Sequence, residues 1–157
     1  MGTKFSTRVW VSVVGIASIF FGSKGYADTV ISVADFGLKP DTRENAVAYV
    51  QKAIEACRGK EPVTLVFPEG RYDFWPQYAH EKNYYETNTY DVFPKRLAML
   101  FEGLHNITVD GNGSQFVMHD RIQPITVENC DGVTLKNFSI DWDIPLSLIH
   151  ISEPTRL

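Results

Sequence analysis

The sequence has 157 residues and a formal net charge of −4, with 15 Lys and Arg against 19 Asp and Glu. No basic cluster follows residue 27, so the charge pattern gives no footprint for binding nucleic acid or anionic lipid. This balance favours neutral or weakly charged ligands.

Residues 1–27 have the features of a secretory signal peptide. Lys4 and Arg8 form a positive start, an apolar run Val9–Phe21 follows, and Gly25 and Ala27 supply the small residues that a signal peptidase reads. A transmembrane anchor is the alternative, but a run of about 13 residues is shorter than the roughly 20 that a bilayer requires. We therefore expect cleavage before residue 28 and a bacterial mature chain in the periplasm, at the cell surface or outside the cell, with no membrane span.

The sequence has two cysteines, Cys57 and Cys130. An exported location permits a disulfide between them. Cys57 falls on the apolar face of a predicted helix and Cys130 at a predicted corner, and nothing local brings them together. Two buried thiols are therefore expected.

The last twelve residues are expected to be an artefact. Leu146–Arg156, LSLIHISEPTR, resembles the translation of a transposase-type sequencing adapter. Three segments follow from this interpretation: a signal peptide at 1–27, an incomplete N-terminal cap and first coils at 28–145, and an artefactual tail at 146–157. The natural chain is then expected to continue beyond Pro145, and a truncated stack of strands should expose apolar surface that invites aggregation.

The N-terminal part of the mature chain predicts a strand, a helix and a second strand. The first strand is Val30–Val33, and the helix is capped by Asp41 or Thr42 with Glu44 in its first turn. The second strand is Val63–Phe67. Residues at helical spacing form the apolar face of the helix: Ala46, Val47, Val50, Ala53, Ile54 and Cys57.

From Leu97 onward, short β-segments alternate with Asn, Asp and Gly turns. The run Asn106–Val109 repeats as Gly132–Leu135, 26 positions later, which is a solenoid period. Strands of this length also suit a sandwich. The repeat and the N-terminal helix, which can cap the open end of a coil, favour a mainly β chain folded as a truncated right-handed parallel β-helix. The predicted segments are Ala98–Phe101, Ile107–Val109, Phe116–His119, Ile122–Val127, Val133–Leu135 and Phe138–Ile140.

Two sets of motifs carry a resemblance to known families. Val33–Gly37 (VADFG) and Thr64–Tyr72 (TLVFPEGRY) resemble the N-terminal segment of pectate-lyase-like β-helix proteins, which says nothing about chemistry. A narrower set resembles the exo-acting alpha-1,3-galactosidases of glycoside hydrolase family 110. Its motifs are Tyr72–Pro76, Pro94–Ala98, Ile107–Gly111, Arg121–Pro124 and Lys136–Pro145.

The resemblance implies an enzyme that removes terminal alpha-1,3-linked galactose from glycans by an inverting mechanism that needs no metal. It implies a glycan partner, no cofactor, and a catalytic acid and base on later coils. Two rivals remain open at this stage. One is a polysaccharide lyase or polygalacturonase on the same scaffold, and the other is a glycan-binding surface protein without enzymatic activity.

Two aspartates are candidates for catalysis. Asp141 and Asp143 follow the i, i+2 rule of a strand, so their Cα atoms should lie roughly 6.6 Å apart on one face. Inverting glycosidases separate their two carboxyl groups by about 6.5 to 9.5 Å. Asp-x-Asp also closes many strand corners by accepting turn hydrogen bonds, so catalysis, substrate contact and a structural corner all remain open.

Five residues are candidates for substrate binding. Alternation in an extended segment would put His119, Arg121 and Gln123 on one face, where planar donors suit vicinal hydroxyls, although a solvated strand surface is the alternative. Trp142 lies between the two aspartates. Trp75 belongs to an aromatic-rich stretch, Tyr72–Phe93, which either stacks on a sugar or packs as a local core.

Overall fold

The computed structural model describes residues 29–83 and 94–144. The predicted signal peptide, the adapter-like tail and the second half of the aromatic-rich stretch lie outside these residues. Within them the chain is mainly β, as predicted, with eight strands and one α-helix. The strands are β1 Thr29–Ser32, β2 Val63–Val66, β3 Arg71–Phe74, β4 His80–Lys82, β5 Lys95–Glu102, β6 His105–Met118, β7 Gln123–Glu128 and β8 Asp131–Trp142; the helix is α1 Val47–Cys57.

The strands form two sheets in which parallel pairing dominates. The larger sheet has the order β1-β2-β6-β3, and β8 pairs with β6 as well. Every pair in this sheet is parallel. The smaller sheet has the order β4-β5-β7, in which β4 is antiparallel to β5 and β7 is parallel to it.

The internal repeat predicted from the sequence corresponds to strand pairing. Ile107 of β6 pairs with Val133 of β8, in parallel, as the repeat requires. The register then shifts between Asp110 and Ser114, so that Phe116 pairs with Ile140. The turn expected between the predicted segments Ile107–Val109 and Phe116–His119 is therefore a bulge inside one long strand, where Asn112 and Gly113 have φ values of 48° and 82°.

The helix has the predicted apolar face but begins later than predicted. Asp41 and Arg43 have φ values of 60° and 58°, so the chain is still turning where the helix was expected to start. Asn45 Oδ1 accepts a hydrogen bond from Val47 N at 3.1 Å instead. All six predicted face residues are buried: Ala46, Val47, Val50, Ala53, Ile54 and Cys57.

A single apolar core joins the helix to the strands. It includes a group of aromatic rings in edge or tilted contact, with the Phe67 and Phe116 centroids 4.8 Å apart. The cysteines are free thiols; Cys57 is buried as expected, whereas Cys130 is only half-buried. Among the residues described, no helix combines the length and the apolarity that a bilayer crossing requires.

Candidate functional site

Strand β3 separates a core face from a polar face. Tyr72 and Phe74 point into the core and are 2% and 0% exposed. Because side chains alternate along a strand, Arg71 and Asp73 lie on the opposite face. The sequence Arg-Tyr-Asp-Phe therefore gives one strand two roles, packing on one side and charge on the other.

Three residues that directly follow parallel strands lie side by side. Phe74 pairs with Met118, and Met118 pairs with Trp142, so the next residues of these strands continue the row. They are Trp75, His119 and Asp143. The backbone hydrogen bonds continue as well: His119 N donates to Phe74 O at 2.9 Å, and Asp143 N donates to Met118 O at 3.0 Å.

The polar face of β3 and this row meet in one group of side chains, which we call the Asp73 cluster: Arg71, Asp73, Trp75, His119 and Asp143. The Asp73 carboxylate has no exposed side-chain surface. Arg71 Nη2 lies 2.6 Å from Asp73 Oδ1, and Arg71 Nε lies 3.1 and 3.0 Å from the two carboxylate oxygens. His119 Nε2 lies 2.8 Å from Asp73 Oδ1. Asp73 thus connects a guanidinium to an imidazole.

The electrostatics of the cluster favour an ionised Asp73. Burial alone would raise the pKa of its carboxyl, but the hydrogen bonds from Arg71 and His119 outweigh burial and hold the pKa below its usual value. The same ion pair raises the pKa of Arg71. An ionised carboxylate can only accept hydrogen bonds, so His119 Nε2 carries a proton and donates to Asp73.

Trp75 fixes the plane of the His119 ring. The two rings stack with centroids 3.9 Å apart and planes 3° from parallel. Asn45 holds the backbone of Trp75, because its Oδ1 accepts from Trp75 N at 3.2 Å while also accepting from Val47 N at the start of α1. The helix start, the tryptophan and the histidine are thereby connected.

Asp143 occupies the open side of the cluster. Its side chain is 45% exposed, and its Oδ1 lies 3.3 Å from Arg71 Nη2. Its Oδ2 lies 3.7 Å from His119 Nδ1, which is longer than a hydrogen bond. An imidazole nitrogen of the mostly buried His119 and a carboxylate oxygen of the exposed Asp143 therefore face each other across a short gap.

Comparison with known proteins gives a consistent result. Alpha-1,3-galactosidase B of Bacteroides thetaiotaomicron is 63% identical over 121 residues, which is 77% of this chain and 20% of the relative. The chain is similar to alpha-1,3-galactosidases. Alpha-1,3-galactosidase A of Shewanella woodyi is 42% identical over 78% of the chain and 20% of its own length, and alpha-1,3-galactosidase B of Phocaeicola vulgatus is 38% identical over 92% and 22%. No protein-family model matches the chain.

The resemblance to alpha-1,3-galactosidases predicted from the motifs is thus confirmed. The chain spans about a fifth of the length of the curated relatives that it matches.

Asp141 lies in β8 and Asp143 directly follows it, and the two predicted catalytic aspartates have different surroundings. Asp141 is exposed, pairs with Val117, and accepts a hydrogen bond from Trp142 N through its Oδ1 at 2.8 Å. This is the corner contact expected for a structural role. Asp143 contacts Arg71 and faces His119, so it is the aspartate that the fold brings into the cluster.

Trp142 lies on the opposite face of β8 from both aspartates. It is half-buried, packs against the apolar core, and has no hydrogen-bond partner for its indole nitrogen among the described residues. The fold does not bring it to the cluster. Its predicted contact with substrate stays a prediction.

The predicted row of His119, Arg121 and Gln123 is wrong as geometry. The segment is a turn and not an extended run: Asp120 has a φ of 57°, and Ile122 N donates to Asp120 O at 3.1 Å. Arg121 is exposed in this turn, and Gln123 begins β7 in the smaller sheet, paired with Leu97. Only His119 joins the cluster, because the left-handed residue after it redirects the chain.

Sequence reasoning missed Arg71 and Asp73. Both fall in motifs that were used for the resemblance only, and their alternation with Tyr72 and Phe74 was a readable strand signal. Of the predicted aromatic-rich stretch, Trp75 joins the cluster, and Tyr78 is 76% exposed.

A separate cavity of about 180 Å³ lies between α1 and strands β4 and β5. Its walls include Lys82 and Glu102, and Lys82 Nζ lies 2.8 Å from Glu102 Oε1 and 2.6 Å from Glu128 Oε2. The single positive charge of Lys82 is thus shared between two carboxylates. No residue of the Asp73 cluster lines this cavity, so we place the candidate site at the cluster and not here.

Proposed function

We propose that this chain is part of an exported, exo-acting alpha-1,3-galactosidase that hydrolyses terminal alpha-1,3-linked galactose with inversion. The observation that carries this proposal is the 63% identity over 121 residues to a protein named alpha-1,3-galactosidase B. The chain alone should be inactive, because it spans about a fifth of that relative. Export is proposed from the signal-like segment at residues 1–27.

The geometry of the Asp73 cluster supports a carbohydrate ligand. Sugars are bound by aromatic rings together with groups that accept or donate hydrogen bonds to hydroxyls. The cluster offers an exposed carboxylate, an oriented imidazole and an adjacent tryptophan. Its carboxylates and single guanidinium give no surplus positive charge for a uronic acid, which disfavours a pectin-degrading reaction at this position.

We also propose that the parallel strands belong to a right-handed β-helix capped by α1. Three features support this arrangement. Ile107 pairs with Val133 and Phe116 with Ile140, which corresponds to steps of one coil. Glu102 of β5 pairs with Glu128 of β7 in the second sheet at the same 26-residue separation as Ile107 and Val133. The helix packs against β1, β2 and β5, where a cap would cover the first coil.

The activity is tested with a hybrid enzyme. Residues 29–144 of this chain replace the matching segment of the Bacteroides thetaiotaomicron relative, and the hybrid and the unmodified 157-residue chain are each incubated with galactosyl-alpha-1,3-galactose. We expect the hybrid to release β-galactose, seen by proton NMR before mutarotation, with or without a chelator. The chain alone should release none.

Three outcomes would contradict the proposal. A folded hybrid that binds the disaccharide without cleaving it would favour a glycan-binding protein. Release of unsaturated uronides from pectin, dependent on calcium, would favour a lyase. Initial release of α-galactose would overturn the inverting mechanism.

A further inference from the structure

The Asp73 cluster has more fixed contacts than a structural ion pair requires. Burying a carboxylate with its partners is costly, and well-packed apolar side chains of similar volume are often as stable. Here the buried Asp73 holds Arg71 on one side and His119 on the other. His119 is held by a hydrogen bond to Asp73 and by a ring stack with Trp75, and these two contacts restrain its rotation.

These contacts determine which nitrogen of His119 can accept a hydrogen bond. Because His119 Nε2 donates to Asp73, the lone pair of the neutral ring is on Nδ1. Nδ1 is the atom that faces Asp143 Oδ2 at 3.7 Å. Arg71 bonds the other oxygen of Asp143, Oδ1, at 3.3 Å, and so turns Oδ2 toward the imidazole. Two acceptor atoms are thereby set side by side.

We propose that Arg71 and Asp73 are positioning residues, and that His119 Nδ1 and Asp143 Oδ2 form an acceptor pair for two hydroxyls of a neutral hexopyranose. This inference rests on the proposed function and deepens it, because it names the atoms that contact the galactose unit. Adjacent sugar hydroxyls each donate one hydrogen bond, and two acceptors on one side match them.

The charge of the cluster agrees with a neutral ligand. With His119 neutral, Asp73 and Asp143 carry two negative charges and Arg71 one positive charge. The guanidinium is occupied by both carboxylates. A uronic acid would meet the Asp143 carboxylate with a like charge, whereas a neutral sugar meets two acceptors.

The first measurement is the protonation state of His119 in the complete 157-residue chain. With nitrogen-15 in the histidine rings, long-range proton-nitrogen NMR distinguishes the two tautomers. We expect the hydrogen on Nε2, and we expect the Nδ1 resonance to move when methyl α-D-galactopyranoside is added. In Asp73→Asn this tautomer preference should be lost or reversed, an effect that loss of packing alone would not produce.

The second measurement is affinity for the same glycoside by NMR titration. Asp143 is exposed, so Asp143→Asn should leave the free energy of unfolding unchanged and weaken binding by about tenfold, as expected for losing a charged hydrogen-bond acceptor. Asp73→Asn should weaken binding to a similar degree. The matched control is Asp131→Asn, an exposed aspartate of β8 outside the cluster, which should bind like the unmodified chain.

The inference is wrong if the hydrogen is on Nδ1, if the glycoside leaves the His119 resonances unmoved, or if Asp143→Asn binds as tightly as the control. Its failure can be separated from failure of the proposed function. If the hybrid enzyme releases galactose and carries Asp143→Asn without a change in kcat/KM, the function stands and this inference fails. If the chain binds the glycoside through His119 but the hybrid cleaves nothing, the acceptor pair stands and the proposed function fails.

Discussion

At the scale of single residues, Asp73 is the side chain that connects Arg71 to His119 within its cluster. Its carboxylate is fully buried and is the shared partner of Arg71 and His119. A buried charge that loses its partner is costly, whereas a paired one is tolerated. The contribution of Asp73 to the stability of the fold therefore depends on both Arg71 and His119.

We predict that Asp73→Ala lowers the free energy of unfolding by about 3 kcal/mol, because it leaves a guanidinium and an imidazole without their shared acceptor. Urea denaturation followed by circular dichroism measures the loss. Asp131→Ala is the control and should cost less than about 0.5 kcal/mol. Equal stability of the two variants would show that the Arg71 and Asp73 pair contributes nothing.

Acid should destabilise the chain through three carboxylates. The pKa values of Asp73, Glu102 and Asp110 all lie below their ordinary values; hydrogen bonds from Lys82 lower that of Glu102, and one from Asn137 lowers that of Asp110. A lowered folded-state pKa gives stability that is present above the unfolded-state pKa and lost as the pH falls through the folded one. The urea concentration that unfolds half of the protein should therefore decrease once the pH falls below about 4. Asp110→Asn should make the urea midpoint depend less on pH. A midpoint of the unmodified chain that does not change with pH would contradict the lowered pKa values.

At the scale of elements, β6 and β8 approach each other closely at Gly111. A Cβ built on Gly111 would lie 2.5 Å from Phe138 Cβ and 2.7 Å from Asn137 O. The bulge between Asp110 and Ser114 lies at the same place. The bulge and the close approach occur together because only a residue without a side chain fits between these strands.

Two glycine substitutions separate crowding from backbone strain. Gly111→Ala should cost about 2 kcal/mol through overpacking against Phe138. Gly59 has a φ of 71°, and a methyl group added there would meet nothing within 4 Å, so Gly59→Ala should cost about 1 kcal/mol through backbone strain alone. Thermal denaturation of the two variants tests the order. A larger loss for Gly59→Ala would contradict the close approach of β6 and β8.

Helix α1 protects one of the two thiols. Cys57 is buried, and this burial raises its pKa to about 11, so almost no thiolate is present at neutral pH. Cys130 is half-buried at a corner. We predict that Ellman's reagent labels one thiol per folded chain, Cys130, and the second only in denaturant. Cys130→Ser should abolish the fast reaction, and labelling of Cys57 at the same rate would contradict the packing of the helix.

At the scale of the whole molecule, apolar rows run from strand to strand and change from buried to exposed at β8. Val109 is 1% exposed, whereas its register partner Leu135 is 40% exposed. Phe116 is fully buried, whereas its partner Ile140 is 37% exposed. Apolar side chains are therefore partly exposed at β8, beyond which the structure describes no further strand.

Threonine substitutions at the two paired positions should differ in their effects. Val109→Thr should lower the free energy of unfolding by about 2 kcal/mol, because it buries a hydroxyl in the core. Leu135→Thr should cost less than about 1 kcal/mol and should reduce self-association, because it removes exposed apolar surface. Sedimentation velocity and urea denaturation measure both effects. Unchanged self-association in Leu135→Thr would show that this face does not drive it.

The sequence predicted those features that follow from local spacing. The buried face of α1 follows from a period of 3.6, and the pairing of Ile107 with Val133 follows from an internal repeat. The Asp73 cluster could not be predicted in this way. Asp73 and His119 are 46 positions apart, and their contact depends on the register between β3 and β6, which no local pattern sets. The segment after His119 was mispredicted because alternation was extended across a left-handed residue, Asp120.

The parallel pairing of the larger sheet follows the order of the strands in the chain. In chain order β2 follows β1, β6 follows both β2 and β3, and β8 follows β6, so β2, β6 and β8 each pair with an edge that an earlier strand supplies. The members of the Asp73 cluster are distributed along the chain in the same order. Its first member, Arg71, is synthesised 72 positions ahead of Asp143. A chain whose strands have paired up to β6 already holds His119 against Asp73 and Trp75, and the acceptor pair is completed only when β8 docks and brings Asp143.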